Sequence, residues 1–196
     1  MEMGSRREGM VRYDYEPGMA FLPDHGGGLL MPQVYCAPID TQDRKGHVRF
    51  TDDVIFAPEK KGLFQVVVLL RNLGDVESAR RELQDLDRVS DGEIRGDEAT
   101  FIIHDPYIGH IPKMDNLVLK NVFRIATANE FAMDPVLCGQ RPPPMYYDEY
   151  RMMRDVGNKM FVILRPDRFV FAACNERTEL EEAAGRIRGV LYGHGR

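Results

Sequence analysis

The stretch FVILRPDRFVFAAC, residues 161–174, decides the fold. Two apolar runs, residues 161–164 and 169–172, flank the corner Arg165-Pro166-Asp167-Arg168. Apolar runs of strand length joined by so short a polar segment predict a β-hairpin. Proline at the first central position presets φ, and aspartate at the second tolerates the bridge region, so a type I turn is expected. Turn geometry alone accounts for Pro166 and Asp167, which makes the corner a marker of fold rather than a site of chemistry.

Downstream, Thr178 and Glu181 have the spacing of a capping box. Leu180, Ala183, Ala184, Ile187 and Leu191 then mark one helical face, which Gly193 ends. Upstream, residues 62–70 (GLFQVVVLL) have the β-branched density of a strand buried on both faces. From Asp75, a plausible N-cap, the period changes. Val76, Ala79, Leu83 and Leu86 recur at helical steps and predict one amphipathic helix. Residues 99–104 and 120–126 read as further strands, and residues 148–156 as a short helix ended by Gly157. Residues 30–39 and 47–56 are short extended candidates, joined by a turn-prone polar segment. In the middle, Pro106, Pro112, Pro135 and Pro142-Pro143-Pro144 forbid continuous helix.

The order is strand, helix, strand, irregular middle, short helix, hairpin, helix. It predicts an α/β chain with a central mixed sheet and flanking helices in a thioredoxin-like arrangement. Residues 1–28, punctuated by Pro17, Pro23 and Gly26-Gly27-Gly28, read as an irregular lead-in that lies over a neighbouring unit. The thioredoxin-like domain is then expected at residues 29–196.

Bulk properties narrow the function classes. The chain of 196 residues carries a net charge of −5, and its Lys and Arg are scattered, whereas nucleic-acid binding wants a concentrated basic face. The longest apolar run, residues 64–70, is far short of a membrane span, and residues 1–10 (MEMGSRREGM) have no apolar signal segment. Cys36, Cys138 and Cys174 are sparse and odd in number, which fits a reducing, cytoplasmic setting and no disulfide framework.

Thiol–disulfide exchange needs paired cysteines, normally at the N-terminus of the first helix. The first strand-to-helix junction, residues 70–76 (LRNLGDV), has none. Cys174, at the end of a strand, is the remaining candidate for a lone reactive thiol. No GxGxxG or GxxxxGK[ST] is present, so neither a dinucleotide nor a nucleotide phosphate has its usual cradle. His104-Asp105 and His110 could bracket a cation, but no third ligand stands at a recognised interval, and a turn role for His104 is the simpler expectation. Tyr146, Tyr147 and Tyr150 could line an aromatic pocket or pack a helix on the sheet. Asp52 and Asp53, on a strand, would point to opposite faces and not converge.

ILRPDRFVFAA (residues 163–173) resembles the V-R-P-D-x-(Y/F)-V hairpin of the C-terminal domain of FAD-dependent aromatic-ring hydroxylases, the phenol 2-monooxygenase group. GGLLMPQ (residues 27–33) is similar to the G-x-R-x-P segment that opens that domain, and RYDY (residues 12–15) to the Y-x-x-S-P tail before it. Three positions depart from the pattern: Glu16-Pro17 replaces Ser-Pro, Met31 stands where Arg is usual, and Arg168 replaces the common Gly or Gln. The resemblance implies a thioredoxin-like fold without redox cysteines, an accessory role in packing and homodimer formation, and FAD only in a partner or an upstream domain. It carries over no flavin-contacting residue. Two other readings stay open: a stand-alone thioredoxin-like oxidoreductase using Cys174 or His104, and a small aromatic-ligand-binding protein with a pocket between the sheet and the proline-rich middle. Eleven methionines and Leu29-Leu30-Met31 also lead to an expectation of self-association.

Overall fold

Residues 65–70 are apolar except at Gln65, whose amide donates to the Gly62 carbonyl at 2.6 Å and so satisfies itself while buried. A strand of this kind needs cover on both faces. In the computed structural model it is β3 (Gln65–Leu70), near the centre of a seven-stranded mixed sheet. The structure describes residues 20–39, 48–105, 108, 119–136 and 146–193. The basic pair Arg6-Arg7, the 12–15 segment, Cys138, His110 and Pro142-Pro143-Pro144 lie outside them.

The other strands are β1 (Tyr35–Pro38), β2 (Arg49–Phe50), β4 (Thr100–Ile103), β5 (Val122–Ile125), β6 (Phe161–Leu164) and β7 (Val170–Cys174). Their order is β2-β1-β5-β4-β3-β6-β7. β3, β4 and β5 run parallel, while β6 and β7 add antiparallel at one side and β1 and β2 at the other. The fold is thus α/β with an open mixed sheet, as the sequence predicts.

The two-residue period of the strands sorts their side chains into two layers. Val66, Val68, Leu70, Phe101, Ile103, Phe161 and Ile163 face one way. They are covered by α2 (Val76–Glu82), α3 (Leu86–Val89) and the long α6 (Arg177–Tyr192), through Val76, Ala79, Leu86, Leu180, Ala183, Ala184 and Ile187. Val67, Leu69, Ile102, Val162 and Leu164 face the other way. They meet Val54 and Ile55 of α1 (Thr51–Ile55), Met152 of α5 (Arg151–Asp155) and Val156. α4 (Ala128–Met133) sits at the β1–β5 side, capped by a reciprocal Thr127–Glu130 box. There Tyr35 stacks on Phe131 at 4.0 Å between ring centroids and on Tyr147 at 4.6 Å.

The hairpin forms as expected, with an addition. The Arg168 N–H donates to the Arg165 carbonyl at 3.0 Å, closing the turn, and the Arg165 N–H donates to Phe169 at 2.9 Å. Arg168 takes φ of 72°, and the register shifts after Ile163. A type I turn followed by a left-handed residue is the three-residue hairpin loop with a bulge, which matches strand twist at the cost of strain at a non-glycine residue.

Several element assignments change. Residues 51–55 of the expected second strand form the helix α1; strand pairing there is confined to Arg49 and Phe50. The predicted helix after β3 is broken into α2 and α3 by Asp85 at φ 71°. Asp75 stands at the N-cap position of α2 but makes no side-chain capping bond. The capping box of α6 is Glu176–Glu179, two residues before the Thr178–Glu181 pair; Thr178 is already inside the helix. Residues 20–31 run beside β7. Leu22 N–H donates to Phe171 at 2.8 Å, Gly28 N–H to Val170 at 2.9 Å, and Val170 N–H to Leu29 at 2.8 Å. Phe21 and Leu22 are buried in the helix-covered layer.

Candidate functional site

Open α/β sheets present binding surface at the carboxyl ends of their parallel strands. At that end of β3 and β4 stand Arg71 and His104, each one residue past its strand. The His104 N–H donates to the Leu70 carbonyl at 2.8 Å, which extends the ladder and fixes the imidazole beside the strand end. Side-chain alternation then turns His104 away from the layer holding Ile103, toward α5.

α5 forms the facing wall. The Tyr150 N–H donates to the Asp148 carboxylate at 2.9 Å at its start. Gly157 and Asn158, both left-handed, end it through bonds to the Arg154 and Met153 carbonyls at 3.0 and 2.9 Å. Between these walls lies a pocket of about 350 Å³ lined by Arg71, His104, Tyr150, Met153, Arg154 and Asn158. That volume is at the small end of the usual range for ligand sites.

His104 borders this pocket, with both ring nitrogens closed off from solvent. Its residue surface is only 8% exposed, yet neither ring nitrogen has a hydrogen-bond partner among the described residues. Burial, reinforced by the positive charge of Arg71, pulls its pKa down to about 4, so the ring is neutral at physiological pH. A neutral imidazole offers one donor and one acceptor. Buried polar groups left unbonded are uncommon and ask for an explanation. Arg154 is engaged by Asp148 and, at 3.4 Å, by Asp155. Arg71 has no carboxylate partner among the described residues.

The other sequence candidates lie apart from this pocket. Cys174 ends β7, three strand spacings from β4, roughly 14 Å at the usual inter-strand distance, and packs in the opposite, helix-covered layer. It is fully buried, and burial pushes its thiol pKa up to about 12. Cys36 is likewise buried and raised to about 12. Neither is a thiolate at neutral pH. Arg165, Pro166 and Asp167 sit at the opposite end of the sheet. There the Arg165 guanidinium is held by the Asp167 carboxylate at 3.1 and 2.6 Å and by the Ala20 carbonyl at 3.1 Å. Arg165 and Asp167 thus satisfy each other within the turn.

The three tyrosines separate. Tyr146 is exposed, and Tyr150 lines the pocket. Tyr147 accepts from the Tyr35 N–H and donates to the Ala126 carbonyl, both at 3.0 Å, within the aromatic group beside β5. Asp52 and Asp53 lie on α1, correcting their placement on a strand; Asp52 pairs with Arg168 and accepts from the Gln33 amide at 2.9 Å. Among the described residues no three His, Cys, Asp or Glu side chains gather as a metal site, and no helix is long and apolar enough to cross a membrane.

A larger depression of about 450 Å³ lies between α2 and the start of α6, lined by Asp75, Glu82, Glu176 and Arg177 among others. It holds no buried polar group without a partner among the described residues, and Arg177 is taken up by Glu181 at 2.6 Å. The His104 pocket is therefore the stronger site. Its Arg71, Met153, Arg154 and Asn158 carry no motif in the sequence; the sheet order brings Arg71 to His104, and the packing of α5 brings the others. No protein-family model, no curated protein and no solved structure matches this chain.

Proposed function

We propose that this chain is a thioredoxin-like module without thiol–disulfide chemistry, of the kind that closes FAD-dependent phenol-type monooxygenases. Its role is to pack against a flavin-bearing unit and to pair with a second copy of itself. The observation that carries the reading is the joining of the two stretches on which the resemblance rests. Met31, from residues 27–33, and Arg168, from residues 163–173, are far apart in sequence but reciprocally bonded. The Met31 N–H donates to the Arg168 carbonyl at 3.0 Å, and the Arg168 guanidinium donates to the Met31 carbonyl at 3.2 Å. Leu30 and Phe169 form a β-bridge in the same patch. Two short similarities that fold into one unit weigh more than either alone.

Connectivity supports the same reading. β3, α2 and β4 make a parallel βαβ unit; β6 and β7 make the hairpin; α6 returns over the layer that α2 covers. The junction between β3 and α2, where a redox member carries its cysteines, holds Asn72 and Asp75, paired at 3.4 Å.

The test is purification of the native protein with an antibody to this chain, followed by visible absorption and phenol-stimulated oxygen consumption. An oxidised-flavin spectrum that travels with the chain, with activity toward phenols, is the expected result. A flavin-free chain, with or without disulfide reductase activity, overturns the reading. Sedimentation of the purified chain should show a dimer, and a monomer at high concentration removes the pairing role.

A further inference from the structure

We propose that His104 is an acid-operated release for α5: the helix stays seated beside the neutral imidazole and leaves the sheet when the ring takes a proton. This inference does not rest on the module reading, because the device lies within the chain itself.

The ring is walled in. Both its nitrogens are closed off from solvent, and neither has a hydrogen-bond partner among the described residues. A protonated imidazole carries a full charge and two N–H donors. In this slot both donors would go unmet, at a far greater cost than the neutral ring bears. Arg71 past β3, and Tyr150 and Arg154 at α5, line the pocket that the ring borders, and Asp105 follows it in the chain. Asp148 and Asp155 pair with Arg154, and the charge of Arg71 opposes protonation. The ring therefore gains a proton only by meeting water, and something beside it must move.

The walls are unequal. β4 is bonded to β3 on one side and to β5 on the other, and the His104 N–H carries the β3 ladder one residue further. α5 is little more than one turn, and it rests on the sheet through Met152 and, just past its end, Val156. Its Arg151–Asp155, Arg154–Asp148 and Arg154–Asp155 pairs lie within its own segment, so they survive its departure. Left-handed residues bracket it, Tyr146 before and Gly157 and Asn158 after. Segments with few buried apolar anchors open at much lower free energy than central strands. α5 is the wall that yields, and its departure uncovers the apolar sites of Met152 and Val156.

Opening takes up one proton, which sets its pH dependence. With the ring at about 4 when closed and 6.5 when free, the open fraction rises roughly twentyfold from pH 7 to pH 5. Hydrogen exchange of the full chain at both pH values is the test, each rate divided by that of an unstructured peptide at the same pH. The reporters are the Arg154, Val156 and Asn158 amides, which bond the Tyr150, Met152 and Met153 carbonyls. Their protection should fall by that factor and stay below that of the β3 amides at both pH values. The fall should vanish in His104→Leu, which fills the slot with an apolar side chain, and in His104→Gln. The proposal is overturned if protection of α5 is the same at both pH values, or if the fall persists in either variant. It is equally overturned if α5 and β3 are protected alike, since the helix then leaves only with the whole fold.

Discussion

Asp52 at the start of α1 and Arg168 at the corner of the β6–β7 hairpin form an ion pair of 2.7 Å. The pair ties the only helix between β2 and β3 to a turn more than a hundred residues later. It also explains why a long cation occupies a left-handed backbone position, where φ of 72° favours glycine. Arg168→Gly relieves about 1 kcal/mol of backbone strain. It removes the ion pair and the bond to the Met31 carbonyl, together worth about 2 kcal/mol in a half-buried setting. A net loss of about 1 kcal/mol is expected from urea denaturation; a raised midpoint would show that strain dominates. Asp52→Asn should lose a similar amount without any relief.

Gly27 has no room for a side chain. A Cβ there would lie 2.6 Å from the Phe171 carbonyl and 2.8 Å from both the N and O of Leu22, all backbone atoms that cannot rotate away. Gly27→Ala is therefore expected to cost roughly 2 kcal/mol or more. At Gly74 a Cβ meets nothing within 4 Å, so Gly74→Ala should change stability by no more than about 0.5 kcal/mol. Equal effects at the two positions would contradict the close approach at Gly27.

His104 makes stability depend on pH with a definite sign. Its pKa is about 4 in the folded chain against 6.5 when free, so between those values the unfolded chain binds the extra proton. Stability is then fully present above pH 6.5 and falls as pH drops toward 4, by at most about 3 kcal/mol from this residue. Among the described residues, Arg71, Arg154 and Tyr150 line the pocket that His104 borders. His104→Gln should flatten the profile there relative to the unmodified chain; superimposable profiles would show that the imidazole binds its proton alike in the folded and unfolded chain.

Cys174 should be inert. With the thiol buried and its pKa near 12, a chain carrying Cys138→Ser should react with an aromatic disulfide at pH 8 only after denaturant is added. Rapid labelling of the native protein, lost in Cys174→Ser, would reopen thiol chemistry for this chain.

Long buried strands and the hairpin were legible because their signal is local. β3 and β4 carry dense β-branched runs, and Pro166-Asp167 states its own turn. α1 was not legible. Its single turn, Thr51–Ile55, has too few residues to show a helical period, and Val54 and Ile55 look like strand residues until packing places both beneath the sheet. The break at Asp85 hides for a related reason: Val76, Ala79, Leu83 and Leu86 keep helical spacing although the axis changes between Leu83 and Leu86. His104 could be singled out by residue type, but its surroundings could not. The pocket depends on which strand lies beside β4 and on which face α5 lands, and residue spacing along the chain carries neither.

The bonds from residues 20–31 to β7 have a consequence for how this chain could be shortened. Leu22 and Gly28 occupy the outward backbone positions of Phe171 and Val170, so that side of the sheet has no free rim there. Cutting the chain at residue 28, the boundary that sequence punctuation invites, would uncover those carbonyls and the apolar sites filled by Phe21 and Leu22. A strand laid bare in this way is a template for another chain. The trimmed protein would fail first by polymerising edge to edge.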